Sequence, residues 1–169
     1  MIPLPNPYLG GAFLLFLGFF HLTPWGIPGL KRRSGGKTQI DLRLAYGPDE
    51  AYGLLAEYGA SGVALFRRML QLDFVFPLVY GALFAGWLQA LAVAAGLSSA
   101  AAALVALPPV LAALCDYVEN ILLLRVLAAL PQRHDRLVRR ASRWTGGKFL
   151  CSALGLLALA GLILQRLLS

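Results

Sequence analysis

Charged residues are scarce in this chain of 169 residues. Asp, Glu, Lys and Arg make up 14% of it, whereas a soluble domain carries about 25%. Hydrophobic residues make up 59% and are gathered into long blocks. This composition excludes an ordinary soluble domain and predicts an integral membrane protein.

Other absences exclude several kinds of site. The two cysteines, Cys115 and Cys151, lie in apolar blocks with no further Cys or His at metal-site spacing, so we expect buried thiols. The chain has no serine elbow, P-loop or dinucleotide fingerprint. Residues 1–8 contain no Lys or Arg, and the first basic cluster follows the first apolar block, so we expect an uncleaved first span.

Four apolar blocks are long enough to cross about 30 Å of hydrocarbon, which takes about 20 helical residues. They cover residues 8–25, 72–96, 99–130 and 149–168. The sequence therefore predicts an all-α, polytopic membrane protein. Its single domain, residues 1–169, would be a bundle of four transmembrane helices.

The distribution of Lys and Arg predicts the orientation of this bundle. Of the 15 basic residues, seven lie in the connection 26–71 and six in the connection 131–148. The positive-inside rule places both connections in the cytoplasm and both termini outside, in what we expect to be the bacterial cytoplasmic membrane. The net charge of +7 thus reflects topology, and we expect no nucleic-acid partner.

The first cytoplasmic connection contains a predicted helix of its own. The stretch GPDEAYGLLAEYG (47–59) has a proline at its start, acids in its first turn and a glycine at its end. Leu54, Leu55 and Tyr58 give it an apolar face. We expect an amphipathic cytoplasmic helix between spans one and two, broken at Gly59.

Polar residues inside the apolar blocks are the candidates for function. In LCDYVENILLL (114–124), Asp116, Glu119 and Asn120 follow spacings of three and four, so they share one helical face. The small Ala112 would leave room one turn away. The alternating directions of the spans bring polar groups of the other helices to the same leaflet. The predicted inner-leaflet pocket has Asp73, Asp116, Glu119 and Asn120 as its lining, with Tyr80, His21 and Lys148 as second-rank members.

Three acids in one leaflet cannot all be ionised without compensation. A pocket for a lipid headgroup, another amphiphile or a cation is the first reading. A membrane enzyme that uses a carboxylate as acid or base on an amphiphilic substrate, with or without a metal, is the second. The third is an accessory or assembly subunit whose polar groups only join helices. Expected partners are the bilayer, a lipid or amphiphile ligand, and a membrane protein or second copy; no cofactor is identified.

Metal chemistry has little support in the sequence. Asp73, Asp116, Glu119 and His21 carry oxygen and nitrogen atoms of the kind that bind hard divalent ions. The chain has no H-x-x-x-H or E-x-x-H pair. We therefore predict no metal site, and these four residues remain only weak candidates.

Four stretches in order carry a resemblance to a family. They are YGPDEAYGLLAEYGASG (46–62), LDFVFPLVY (72–80), CDYVEN (115–120) and ASRWTGGKF (141–149). Together they resemble a family of small, uncharacterised four-span integral membrane proteins, over most of the chain after Thr38. The resemblance implies a four-span topology and no established activity, and it assigns no functional residue.

Overall fold

The computed structural model describes residues 2–168, and all regular secondary structure among them is helical, with no strand. The prediction of an all-α chain is confirmed. Its elements, in chain order, are α1 (Pro7–Leu22), α2 (Ile27–Arg33), a 3-10 helix η1 (Ile40–Leu42), α3 (Pro48–Leu72), α4 (Phe76–Ala94), α5 (Ser99–Val105), α6 (Leu107–Ala129) and α7 (Asp135–Leu168).

Four helical segments of this chain are long and apolar enough to cross a membrane, as predicted. They are Pro7–Arg33, Pro48–Ala94, Ser99–Ala129 and Asp135–Leu168. Each exceeds the roughly 20 residues that the hydrocarbon requires. The first, second and fourth include residues that were predicted as connections, whereas the third lies within the predicted span 99–130.

Helix α3 takes up much of the predicted first connection. It begins at Pro48, with Asp49 and Glu50 in the first turn, where acids complement the positive end of the helix. The backbone leaves helical geometry at Gly59, where φ is 61°, a left-handed value that glycine adopts without steric cost. The predicted break at Gly59 is therefore present, and the first half of α3 packs into the main apolar core.

The second predicted span is interrupted near its start. Residues 73–75 form a turn between α3 and α4, so Asp73 lies in this turn and not inside a helix. Pro77 occupies the first turn of α4. Backbone N–H groups there have no acceptor within the helix, so the missing N–H of proline costs no helical hydrogen bond. The Tyr117 hydroxyl of α6 donates to the carbonyl oxygen of Phe74 at 2.6 Å, so α6 supports the turn.

Two further boundaries differ from the prediction. Helix α7 is uninterrupted from Asp135 and includes most of the predicted connection 131–148, because it contains no proline and its glycines stay helical. The third span is divided at Ala106, where one helix ends and Pro108 stands in the first turn of the next.

A tight turn joins the second apolar segment to the third. It turns at Gly96, whose φ is 89°, and the Leu97 N–H donates to the Ala92 carbonyl at 3.1 Å. Ser98 then caps α5 by accepting a hydrogen bond from the Ala101 N–H at 3.3 Å. Helices α4 and α6 are thereby brought side by side.

Two apolar cores lie along the bundle. The main core includes Leu30 of α2, Phe66 of α3 and Val126 of α6, all fully or almost fully buried. The second core is formed by Leu88, Leu91, Ala106 and Leu159. Along α4, α6 and α7, the polar residues singled out above lie between the stretches that reach the two cores.

Candidate functional site

Lys148 of α7 is the centre of a buried ion cluster. Its Nζ lies 2.6 Å from Glu119 Oε2 and 3.0 Å from Asp116 Oδ1. The two acids are three residues apart on α6, so both face α7. Side-chain exposure is 0% for Glu119, 7% for Asp116 and 14% for Lys148. Removing one partner of such a group would leave another as an uncompensated buried charge.

Hydrogen bonds extend this cluster toward the segment before α3. The Thr145 hydroxyl, one turn before Lys148, donates to Glu119 Oε1 at 2.5 Å. The Tyr46 hydroxyl lies 3.3 Å from the same Thr145 oxygen. Burial, followed by the nearby Glu119 charge, raises the pKa of Tyr46, so this hydroxyl stays protonated.

On the other side, α4 and the turn before it supply two more hydrogen bonds. The Tyr80 hydroxyl donates to Asp116 Oδ2 at 3.0 Å, and Asn120 Nδ2 donates to Asp73 Oδ2 at 2.9 Å. The structure thus brings together six of the seven residues predicted for the pocket: Asp73, Tyr80, Asp116, Glu119, Asn120 and Lys148.

His21 does not join this cluster, contrary to the prediction. Its side chain is exposed, and Nδ1 lies 3.0 Å from the Leu17 carbonyl oxygen of its own helix. The inner face of α1 is formed by Phe13, Phe16 and Phe20, whose rings pack against Phe76 of α4. His21 follows Phe20 and points away, because consecutive helical residues are turned by about 100°.

Asp41 is a member of the site that the sequence did not predict. It lies in η1, its residue exposure is 6%, and its carbonyl oxygen is 3.5 Å from Lys148 Nζ. Its carboxyl Oδ1 is buried and has no hydrogen-bond partner among residues 2–168. Burial raises the pKa of the Asp41 carboxyl, and the Lys148 charge only partly opposes this.

Thr145 and Tyr46 were also missed as site residues. For Thr145 a signal existed, because it precedes Lys148 by three residues and so shares its helical face. For Asp41 and Tyr46 the signal was weak. Both lie in a connection whose path depends on tertiary packing.

A cavity of about 500 Å³ opens beside the cluster. Its polar end is formed by Asp41, Tyr80, Asp116, Lys148 and Ser152. Its other lining residues, mostly apolar, are Phe13, Leu17, Leu42, Phe76, Phe84, Pro109, Ala112, Phe149, Gly155 and Leu156. Ala112 lies one turn from Asp116, so the small side chain predicted to leave room there lines the cavity.

The cavity lies between α1 and α7. Helix α1 packs against α2 and α4, whereas α7 packs against α6, α4, α3 and η1. Within residues 2–168, α1 and α7 do not pack extensively against each other, although both line the cavity. Few direct contacts between α1 and α7 therefore close the cavity on this side.

No group of three or more His, Cys, Asp or Glu side chains within residues 2–168 is arranged to hold a metal ion. Of the four weak candidates, Asp116 and Glu119 bind Lys148, Asp73 accepts from Asn120, and His21 lies apart. The donor set that metal-assisted catalysis would need is therefore not assembled by the described side chains.

The geometry defines a class of protein: an all-helical chain with four potential membrane spans and a buried ion cluster beside an apolar cavity. No protein-family model, curated protein or solved structure matches the chain. The resemblance to small four-span membrane proteins stays a prediction from the four sequence stretches.

Replacing Thr145 with valine tests the hydrogen bonds of the cluster. We expect a loss of about 1–2 kcal/mol in the free energy of unfolding, because a buried Glu119 oxygen would lose its hydroxyl donor. Thr145→Ser keeps the hydroxyl and is expected to recover most of this loss. Denaturation in a mild detergent measures both, and equal losses in the two variants would show that the hydroxyl contributes little.

Proposed function

We propose that this chain is an integral membrane protein whose cavity binds an amphiphile, with the polar head at the Asp116–Lys148 end. The observation that carries the proposal is the lining of the cavity, in which a small group of polar side chains adjoins mostly apolar ones. Its volume, about 500 Å³, falls within the range typical of small-molecule sites. A molecule with a polar head and a hydrocarbon chain matches both parts.

Membrane insertion is supported by the outer surface of the helices. Large apolar side chains remain exposed along α1 and α7, among them Leu14, Leu15, Leu154 and Leu157. Contiguous apolar surface of this kind is unusual on a soluble monomer and is favourable against lipid. An amphiphile could then enter sideways from the bilayer, between α1 and α7.

The contacts between the two basic connections support one common cytoplasmic end. Arg133 Nη2 lies 2.6 Å from Asp49 Oδ1, and the Tyr46 N–H donates to Ser142 Oγ at 3.0 Å. Both basic connections therefore lie at the same end of the bundle. Together with the positive-inside rule, this supports an inner-leaflet position for the polar end and outside positions for both termini.

A buried ion cluster that only joins helices is the competing reading. Helix pairing explains the contacts of Lys148 with α6, but it does not explain a cavity beside them. Helix pairing also gives no reason for the burial of Asp41 Oδ1, since that atom has no partner among the described residues. Buried ionisable groups at membrane depth are by themselves a reason to expect a ligand.

Filling the cavity separates these two readings. Ser152→Trp places a large side chain at the cavity wall, whereas Ala153→Trp, the neighbouring exposed position on α7, points away from it. Mass spectrometry of protein purified in mild detergent and in nanodiscs would identify retained amphiphiles. We expect Ser152→Trp to reduce the retained amount by about tenfold or more, and Ala153→Trp to retain the wild-type amount.

Two results would overturn the proposal. One is purified wild-type protein that carries no amphiphile and takes up none from nanodiscs. The other is equal retention by Ser152→Trp and Ala153→Trp, which would place any bound lipid outside the cavity. Thermal unfolding of both variants shows whether Ser152→Trp remains folded.

A further inference from the structure

The side chains of Lys148 and Tyr80, at the polar end of the cavity, already contact acceptors of the protein. Lys148 has three N–H donors, and three acceptors surround it: Asp116 Oδ1 at 3.0 Å, Glu119 Oε2 at 2.6 Å and the Asp41 carbonyl oxygen at 3.5 Å. The single donor of Tyr80 goes to Asp116 Oδ2. An anionic head group, such as a phosphate or carboxylate, would therefore find no free donor on Lys148 or Tyr80.

One buried acceptor at the same end has no donor. Asp41 Oδ1 is buried without a hydrogen-bond partner among residues 2–168, and Asp41 lines the cavity. An unsatisfied buried acceptor is costly, more so when it belongs to a carboxylate. A donor or cation in the cavity beside the Asp41 carboxyl group would reduce that cost.

The charges at this end favour a cation. Three carboxyl groups, those of Asp41, Asp116 and Glu119, face a single ammonium group, that of Lys148. Burial raises the pKa of Asp41, and a positive charge beside it would favour the ionised carboxylate. A second cation would thus bring the charges at this end closer to balance, whereas an anion would move them further from it.

The walls next to this end are aromatic. Phe13 and Phe76 stack with ring centroids 5.6 Å apart, Phe84 lies edge-on to Phe13 at 5.5 Å, and Tyr80 packs on Phe76 at 5.3 Å. All four residues line the cavity. Aromatic rings attract cations through their negative faces, and they also pack well against hydrocarbon.

We propose that the cavity takes an amphiphile whose head is a protonated primary or secondary amine, with an N–H donating to the Asp41 carboxylate. This inference rests on the proposed function and specifies the chemistry of its ligand. Asp41 is the head-group residue, Asp116 adds negative charge, and the aromatic rings enclose the first part of the chain.

The test compares four ligands with the same twelve-carbon chain and different heads. They are dodecylamine, dodecyltrimethylammonium, dodecanol and dodecyl phosphate, each titrated against protein in phosphatidylcholine nanodiscs, with empty nanodiscs as the baseline. We expect dodecylamine to bind about tenfold or more tightly than each of the other three, as a charge-assisted hydrogen bond would give. Native mass spectrometry or equilibrium dialysis reports the bound fraction.

Asp41→Asn tests the residue assignment. It removes the negative charge at nearly constant shape, so we expect the preference for dodecylamine over dodecanol to fall to about threefold or less. Asp49→Asn is the matched control, because the Asp49 side chain is exposed and pairs with Arg133 outside the cavity. This control should keep the wild-type preference, and unfolding temperatures show that both variants are folded.

The outcomes separate this inference from the proposed function. If none of the four ligands binds, the proposed amphiphile cavity itself is wrong. If the four bind alike, or dodecyl phosphate binds best, the cavity stands and the amine assignment is wrong. If the trimethylammonium ligand matches dodecylamine, or Asp41→Asn leaves the preference unchanged, the hydrogen bond to Asp41 is wrong.

Discussion

Replacing Lys148 with methionine is expected to lower the free energy of unfolding by about 3–5 kcal/mol. Methionine has a similar length and keeps the packing, but it leaves Glu119 and Asp116 buried without a positive partner. Glu119 is completely inaccessible, so water cannot replace the lost ammonium group there. Equilibrium unfolding in detergent, or the unfolding temperature in nanodiscs, measures the loss.

The chain contains a matched control for this substitution. Lys37 pairs with Glu57 at 3.2 Å, but both side chains are nearly half exposed, so Lys37→Met should cost less than about 1 kcal/mol. Adding Glu119→Gln to Lys148→Met removes the uncompensated carboxylate and should restore a large part of the stability. If Lys148→Met costs no more than Lys37→Met, the buried cluster does not stabilise the bundle.

Replacing Gly29 with alanine is the second substitution expected to have a large effect. Gly29 is buried in α2, and a Cβ at this position would overlap the carbonyl oxygen of Pro24. A backbone atom cannot rotate away as a side chain can, so the turn between α1 and α2 would have to open. We expect a loss of at least about 3 kcal/mol, beyond the usual cost of overpacking.

Gly53→Ala is the control for this prediction. Gly53 is exposed in α3, and a Cβ there would meet nothing within 4 Å. Alanine is the better helix former, so the control should be stabilised by up to about 1 kcal/mol. In a thermal-unfolding experiment, Gly29→Ala should therefore lower the unfolding temperature and Gly53→Ala should raise it. Equal effects of the two variants would contradict the close approach at Gly29.

The helical class and the four long apolar segments were predictable because both depend on local properties. The length and continuity of the apolar blocks are enough to predict both features. Helix ends were less predictable. A proline such as Pro77 is compatible with a kink inside a helix or with the first turn of a new one, and hydropathy is the same in both cases. The distribution of charge led to a different error. The basic residues before Lys148 are typical of a loop, and yet they form the first turns of α7.

The grouping of polar residues was predictable to the extent that it depends on helical spacing. Asp116 and Glu119 share a face because they are three residues apart, and the direction of the helices brought Lys148 toward them. The Asp41 contribution depends on how the segment between α2 and α3 folds back onto α7. Such a contact joins residues far apart in the chain and leaves no periodic pattern in the sequence.

The length of α7 has a mechanical consequence. Its 34 residues extend about 51 Å, well beyond the roughly 30 Å of a bilayer core. The basic first turns and the cavity-lining Lys148 and Ser152 belong to this one unbroken rod. Because the helix is continuous, a displacement of its basic first turns would be transmitted to Lys148 and Ser152 at the cavity.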